Sequence, residues 1–195
     1  MDGFERRREQ KKMNILEAAL ALFMEYGVQK ISIAEIAKKA NVSQVTIYNY
    51  FDSKHNLVRE VFLYYADKAM DDFDQILNSD ITFPEKIQQI IFSKKETANQ
   101  IHEDFYQYLM KEYTTGVNYI EKMYVENILP RLIDLFNKGK KQGYVDPNVS
   151  NEAILFFIQA VHEYIQREDV YQKILPLTED IMKLMFYGIM GKKAD

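Results

Sequence analysis

The stretch from Ile33 to Phe51 reads IAEIAKKANVSQVTIYNYF, two short apolar-periodic segments separated by Asn41-Val42-Ser43. Helical spacing places Ile36, Ala40, Val42 and Ile47 between the two segments, and Ala37 is small where a second helix must cross closely. Ser32 followed by Glu35 is a capping box that starts the first helix. Ser43 supplies an N-cap hydroxyl for the second, and Asn41 tolerates the left-handed backbone that so tight a turn requires. One window therefore meets the separate demands of a helix-turn-helix, whose second helix enters the DNA major groove.

The second helix has two faces. Ile47 and Phe51, four residues apart, point into a small core. Gln44, Val45, Tyr48 and Asn49 lie opposite, near the end that approaches base edges. Gln44 and Asn49 are suited to amide hydrogen bonds with adenine, and Val45 to a thymine methyl. Thr46, Tyr48 and Lys54 are suited to phosphate oxygens. Ser43 and Tyr50 complete the expected DNA-binding set, although the aromatic rings of Tyr48 and Tyr50 are equally at home half-buried.

Working outward, Ile15, Ala18, Ala19, Leu22, Phe23 and Tyr26 form the stripe of an amphipathic helix that Gly27 closes. Asp52-Ser53 opens a long fourth helix to about Leu77. The run from Ile15 to Val61 contains Tyr26-Gly27, Ile33-Ala34-Glu35-Ile36-Ala37, Val42-Ser43, Thr46-Ile47-Tyr48 and Tyr50-Phe51-x-Ser53-Lys54. It resembles the N-terminal domain of tetracycline-repressor (TetR) family regulators. The resemblance covers about a quarter of the chain. It implies an all-α fold, a homodimer, a double-stranded DNA operator and a small-molecule effector. It also implies phosphate contacts from Thr46, Tyr48 and Lys54, and base contacts near Gln44, Val45 and Tyr48. Val45 departs from the family, which often has glycine there; a glycine allows closer backbone approach, whereas Val45 shifts docking or reads a methyl group directly.

The rest of the chain is read with less guidance. Apolar periodicity continues to the C-terminus, with breaks at Asn78–Pro84, Gly116, Gly143–Ser150 and Arg167–Val170, and Pro130 and Pro176 mark further boundaries. The expected architecture is all-α, about nine helices: a three-helix DNA-binding domain over residues 1–53 and a larger ligand-binding and dimerisation domain over residues 54–195. Of 14 tyrosines and 12 phenylalanines, 11 and 9 fall after residue 60. Such aromatics fill a core or line a pocket. The family resemblance places a pocket among the middle helices, with Phe105, Tyr108, Leu109, Tyr124, Ile128, Phe157 and His162 as its expected lining and Met110 and Met123 as adaptable walls. The ligand expected there is hydrophobic or aromatic, and cationic should Glu103 or Glu163 turn inward. Ile154, Ile158, Val161, Ile165, Ile181 and Met185 lie on apolar stripes of the last two helices, which in that family pair with a second subunit.

The 195 residues carry 25 Lys+Arg and 29 Asp+Glu, a net charge of −4 that argues against nucleic acid until it is divided. Residues 1–60 hold 10 basic and 8 acidic groups and are net positive, with Arg6, Arg7, Arg8, Lys11 and Lys12 close together. The acidic remainder discourages phosphate from binding elsewhere. The absence of cysteine rules out disulfides and thiolate-ligated metals. His102 and His162 lack partners at metal-ligand spacing, so neither a metal nor a cofactor is expected. No leader or membrane-spanning run is recognisable, which fits a cytoplasmic protein. An enzyme is disfavoured, because no nucleophile–base pair, phosphate-cradling glycine loop or dinucleotide fingerprint is present. The alternatives to a ligand-released repressor are an activator and an all-α protein-interaction adaptor that keeps the same helix-turn-helix.

Overall fold

The computed structural model describes residues 3–115, 124–165 and 167–190. Among these there is no strand, and the all-α class is confirmed. The helices are α1 (Gly3–Tyr26), α2 (Ile33–Lys39), α3 (Gln44–Phe51), α4 (Lys54–Asn78), α5 (Phe83–Gln100), α6 (Glu103–Thr115), α7 (Leu129–Lys141), α8 (Asn151–Ile165), α9 (Glu168–Ile174) and α10 (Thr178–Met190). The expected break at Gly116, together with Tyr119, Met123 and the side chains of Tyr113 and Tyr124, lies outside the described residues.

The chain forms two compact units. One runs up to Asp72 and takes in Gln100–Leu109; the other comprises Phe73–Asn99 and the chain from Met110 on. In the first unit, α1 buries Ile15, Ala19 and Phe23, and α2 and α3 add Ile36, Ala37, Ile47 and Phe51. The opening turns of α4 bring Leu57, Val58, Val61 and Phe62 to the same core. Burying each large side chain contributes about 2 kcal/mol. Local chemistry sets the ends of these helices. Gly27 adopts φ 83° after α1, and Asn41 adopts φ 54° in the turn between α2 and α3. Asp52 also takes a left-handed φ of 60°, while its N–H bonds the Tyr48 carbonyl at 2.8 Å to close α3.

The second unit packs α5, α7, α8 and α10 around Phe83, Ile87, Leu135, Phe136, Ile154, Ile158 and Phe186. The Thr82 hydroxyl and Glu85 carboxylate cap the start of α5. Phe83 stacks on Tyr144 with centroids 5.8 Å apart. Gly139 permits that approach, since a Cβ there would stand 2.7 Å from the Phe83 ring and 2.8 Å from Val145. Arg131 grips Asp74 through two nitrogens and donates to the Asn127 carbonyl at 2.7 Å. Pro130 stands in the first turn of α7, directly after a π-turn over Tyr124–Ile128. Pro176 lies in a 3₁₀ turn between α9 and α10, the boundary expected of it. The break at Ile101-His102, between α5 and α6, has no glycine or proline to announce it.

Candidate nucleic-acid interface

The turn before α3 is built from short-range bonds. The Ser43 hydroxyl accepts the Thr46 N–H at 3.0 Å and shares a hydrogen bond with the Thr46 hydroxyl at 2.8 Å. On α2, the Ser32 hydroxyl donates to Glu35 at 2.6 Å and the Ser32 N–H at 2.7 Å. These bonds, the hydroxyl's first and then the backbone's, hold the Glu35 carboxyl below its ordinary range. Both helix starts are thus pinned by groups within four residues.

With Ile47 and Phe51 buried, α3 turns its other face outward. Gln44, Val45, Tyr48 and Asn49 are exposed, Val45 at 67%. Gln44 and Asn49 make no side-chain hydrogen bond with a described residue, so their amides remain available. An exposed valine flanked by unoccupied amides gains nothing from folding. That arrangement is suited to the mixed polar and methyl surface of a major groove.

Two of the expected DNA contacts are engaged inside the protein. The Tyr50 hydroxyl donates to the Arg8 carbonyl at 3.1 Å, and the Arg8 guanidinium lies 5.9 Å from the Tyr50 ring centre. Tyr50 therefore fastens the basic start of α1 to α3 rather than pointing away from the protein. The Lys54 ammonium donates to the Val28 carbonyl at 2.8 Å. The backbone after α1 needed a donor, and Lys54 supplies it. Arg6, Arg7, Arg8 and Lys11 are exposed, whereas Lys12 pairs with Glu60 at 2.9 Å. The Tyr50–Arg8 and Lys54–Val28 pairs join positions 42 and 26 residues apart, and no local sequence signal announces either.

The residues expected to line an effector pocket are divided between the two units. Phe105 and Leu109 are buried in the core of the first, where Phe105 packs on Phe23 and Tyr65 at 6.1 and 6.0 Å. Tyr108 is half-buried in the same unit. In the second unit, Ile128 packs against the core, Phe157 is exposed and His162 is half-buried. Desolvation pushes the His162 imidazole below its ordinary value, with Glu163 opposing and Lys94 adding to the shift.

The expected subunit contacts are also redistributed. Ile154 and Ile158 are only 2% and 7% exposed and belong to the core of their own unit. Val161, Ile165, Ile181 and Met185 are half-buried. Among the described residues, the large apolar side chains that remain outside on these helices are Phe156, Phe157 and Tyr164 on α8, and Leu184 and Tyr187 on α10. Among the described residues no three metal-ligating side chains converge, and no helix is long and apolar enough to cross a membrane.

Residues 15–61 match the family of bacterial regulatory proteins called the tetR family. The chain is 26% identical over 139 residues to YhgD, an HTH-type transcriptional regulator of Bacillus subtilis, covering 70% of this chain and 73% of that one. It is 24% identical over 155 residues to the HTH-type transcriptional repressor KstR2 of Mycobacterium tuberculosis, covering 76% of each. The solved structure of the fatty acid degradation regulator FadR from Bacillus halodurans shares the fold with a TM-score of 0.61, at 20% identity, over 93% of this chain and 97% of that one. These similar proteins are transcriptional regulators, not enzymes.

Proposed function

We propose that this chain, a transcriptional regulator carrying the tetR-family DNA-binding domain at residues 15–61, binds a palindromic operator as a homodimer. A small hydrophobic or aromatic effector then releases it. One observation carries the reading: α3 exposes Gln44, Val45, Tyr48 and Asn49 together while Ile47 and Phe51 anchor its other face. Residues 1–53 are assigned to reading DNA and residues 54–195 to the effector and the second subunit. The similarity to a repressor supports repression rather than activation.

A two-fold dimer presents two recognition helices to successive major grooves, roughly 34–36 Å apart. An effector that favours another spacing by about 1–3 kcal/mol weakens the operator complex accordingly. The second subunit is proposed to cover Phe156 and Tyr164 of α8 with Leu184 and Tyr187 of α10.

The test is selection of bound sequences from random double-stranded DNA, followed by affinity measurement over a range of salt. A palindromic consensus that shifts with Gln44→Ala supports the reading. Recovery of no consensus, or binding insensitive to salt, sinks it and favours an adaptor.

A further inference from the structure

Every residue of α1 from Gly3 to Lys11 is exposed, and Ile15 is the first that is buried. The helix therefore overhangs its core by about 13 Å at 1.5 Å per residue. This overhang precedes residues 15–61, the part that matches the tetR family, and so belongs to this chain rather than to the shared domain. Phe4, Arg7, Arg8 and Lys11 stand at i, i+3, i+4 and i+7 and share one face. Like charges at that spacing weaken a helix, and no other element packs against these turns to compensate. Arg6, Arg7 and Lys11 make no hydrogen bond or ion pair with a described residue. Folding gains nothing from this concentration of charge, whereas a polyanion relieves the repulsion.

Tyr50 determines where that face lies. From α3, its hydroxyl donates to the Arg8 carbonyl at 3.1 Å, and its ring centre stands 5.9 Å from the Arg8 guanidinium. The overhang is thus tied beside the recognition helix, next in sequence to the exposed Tyr48 and Asn49. A major groove is about 12 Å wide, so an arm of this length beside a helix within the groove reaches the strand at its edge. That edge offers phosphate, which arginine and lysine contact without reading sequence. A lipid surface fits less well, because an interfacial helix buries a broad apolar face and Phe4 is the only large apolar residue from Gly3 to Lys11.

We propose that the overhanging turns of α1 are a second DNA contact, in which Arg7, Arg8 and Lys11 hold phosphates of the strand bordering the groove that α3 enters. This rests on the reading of α3 as the recognition helix and extends it. Base pairs are left to α3, so the arm adds the same affinity on every sequence and enlarges the set of phosphates that each subunit occupies.

The experiment uses the full chain and the palindromic duplex recovered by selection from random DNA. Arg7→Gln with Lys11→Gln leaves Arg8, Tyr50 and their tie in place, and its melting temperature is expected to match the parent's. Affinity is expected to fall about tenfold on matched and mismatched duplexes alike, with the log-affinity against log-salt slope flattened by about 1 or more. Ethylation interference maps the contact: at least one phosphate per half-site whose ethylation blocks the parent becomes neutral in the variant. Arg7→Lys with Lys11→Arg retains the parent's slope and pattern. An unchanged slope and interference pattern in the glutamine variant overturns the proposal, as does an affinity loss confined to one base sequence. Parent binding to phosphatidylglycerol vesicles that the variant loses, while its DNA slope is kept, assigns the face to lipid and also overturns it. A palindrome bound by the variant with the parent's slope removes this inference alone. A parent that recovers no palindrome removes the regulatory reading and this contact with it.

Discussion

Asp104 accepts the backbone N–H of Gln29 at 2.9 Å, joining the start of α6 to the loop after α1 across 75 positions of sequence. Two further bonds reinforce the clasp. The His102 N–H donates to the Met24 carbonyl at 2.8 Å, and the Asp104 N–H donates to the His102 imidazole at 3.1 Å. Gly27 completes it, since a Cβ there would stand 2.8 Å from both the Asp104 carboxylate and the His102 ring. Asp104→Ala is expected to cost about 1 kcal/mol and to speed amide exchange at Gln29. Gly27→Ala, with the clash and φ 83° combined, is expected to cost about 2 kcal/mol. Thermal unfolding and hydrogen exchange check both, and an unchanged Gln29 exchange rate in Asp104→Ala would contradict the clasp.

The Tyr50–Arg8 pair ties the recognition helix to the basic start of α1. Replacing Arg6, Arg7 and Arg8 together with alanine is expected to flatten the log-affinity against log-salt slope by about 1–3 while sparing sequence preference. Tyr50→Phe keeps the ring and loses the hydroxyl, so a smaller change of the same sign is expected. Gln44→Ala should do the reverse, altering preference and leaving the slope. A fluorescence-anisotropy series on matched and mismatched DNA distinguishes the two patterns.

The features legible in the sequence are those whose causes lie within a few residues. Ser32 with Glu35, Asn41 in its left-handed turn, Ser43 as N-cap and Gly27 as helix terminator are each local chemistry. Lys54 on Val28 and Asp104 on Gln29 were not legible, because the partners meet only after the chain has folded. The apolar stripe of α8 was visible in its spacing, but spacing does not say which edge faces inward. Ile154 and Ile158 went to the core and Phe156 stayed outside. Phe105 illustrates the same limit, since a core aromatic and a pocket aromatic share one composition.

That division of α8 makes a contrast. Phe156, 76% exposed, and Leu184, 74% exposed, should accept glutamate with a stability change within about 0.5 kcal/mol per subunit. The dimer proposed above would nonetheless be lost. Ile154→Ala should instead cost about 2–5 kcal/mol from the cavity it leaves. Native mass spectrometry and thermal unfolding together decide. A dimer that survives Phe156→Glu with Leu184→Glu would place the subunit contact elsewhere.

His162 predicts a pH dependence. Its folded-state pKa is lowered, chiefly by desolvation, so the folded state holds its proton less readily than the unfolded chain does. The associated stability is fully present above about 6.5 and is lost as pH falls toward the lowered folded value. His162→Gln should flatten the stability profile below neutrality and leave it unchanged above. Urea midpoints across that range give the answer, and a parallel acid slope in both proteins would exclude His162 as its source.

Gly139 fits only because Phe83 and Val145 occupy the volume its missing side chain would need. In evolutionary terms the three positions are one inherited character. A descendant lineage reaches alanine at 139 only after the residues at 83 and 145 have given way, so the order of those substitutions is constrained even though position 83 lies far from the other two in the gene.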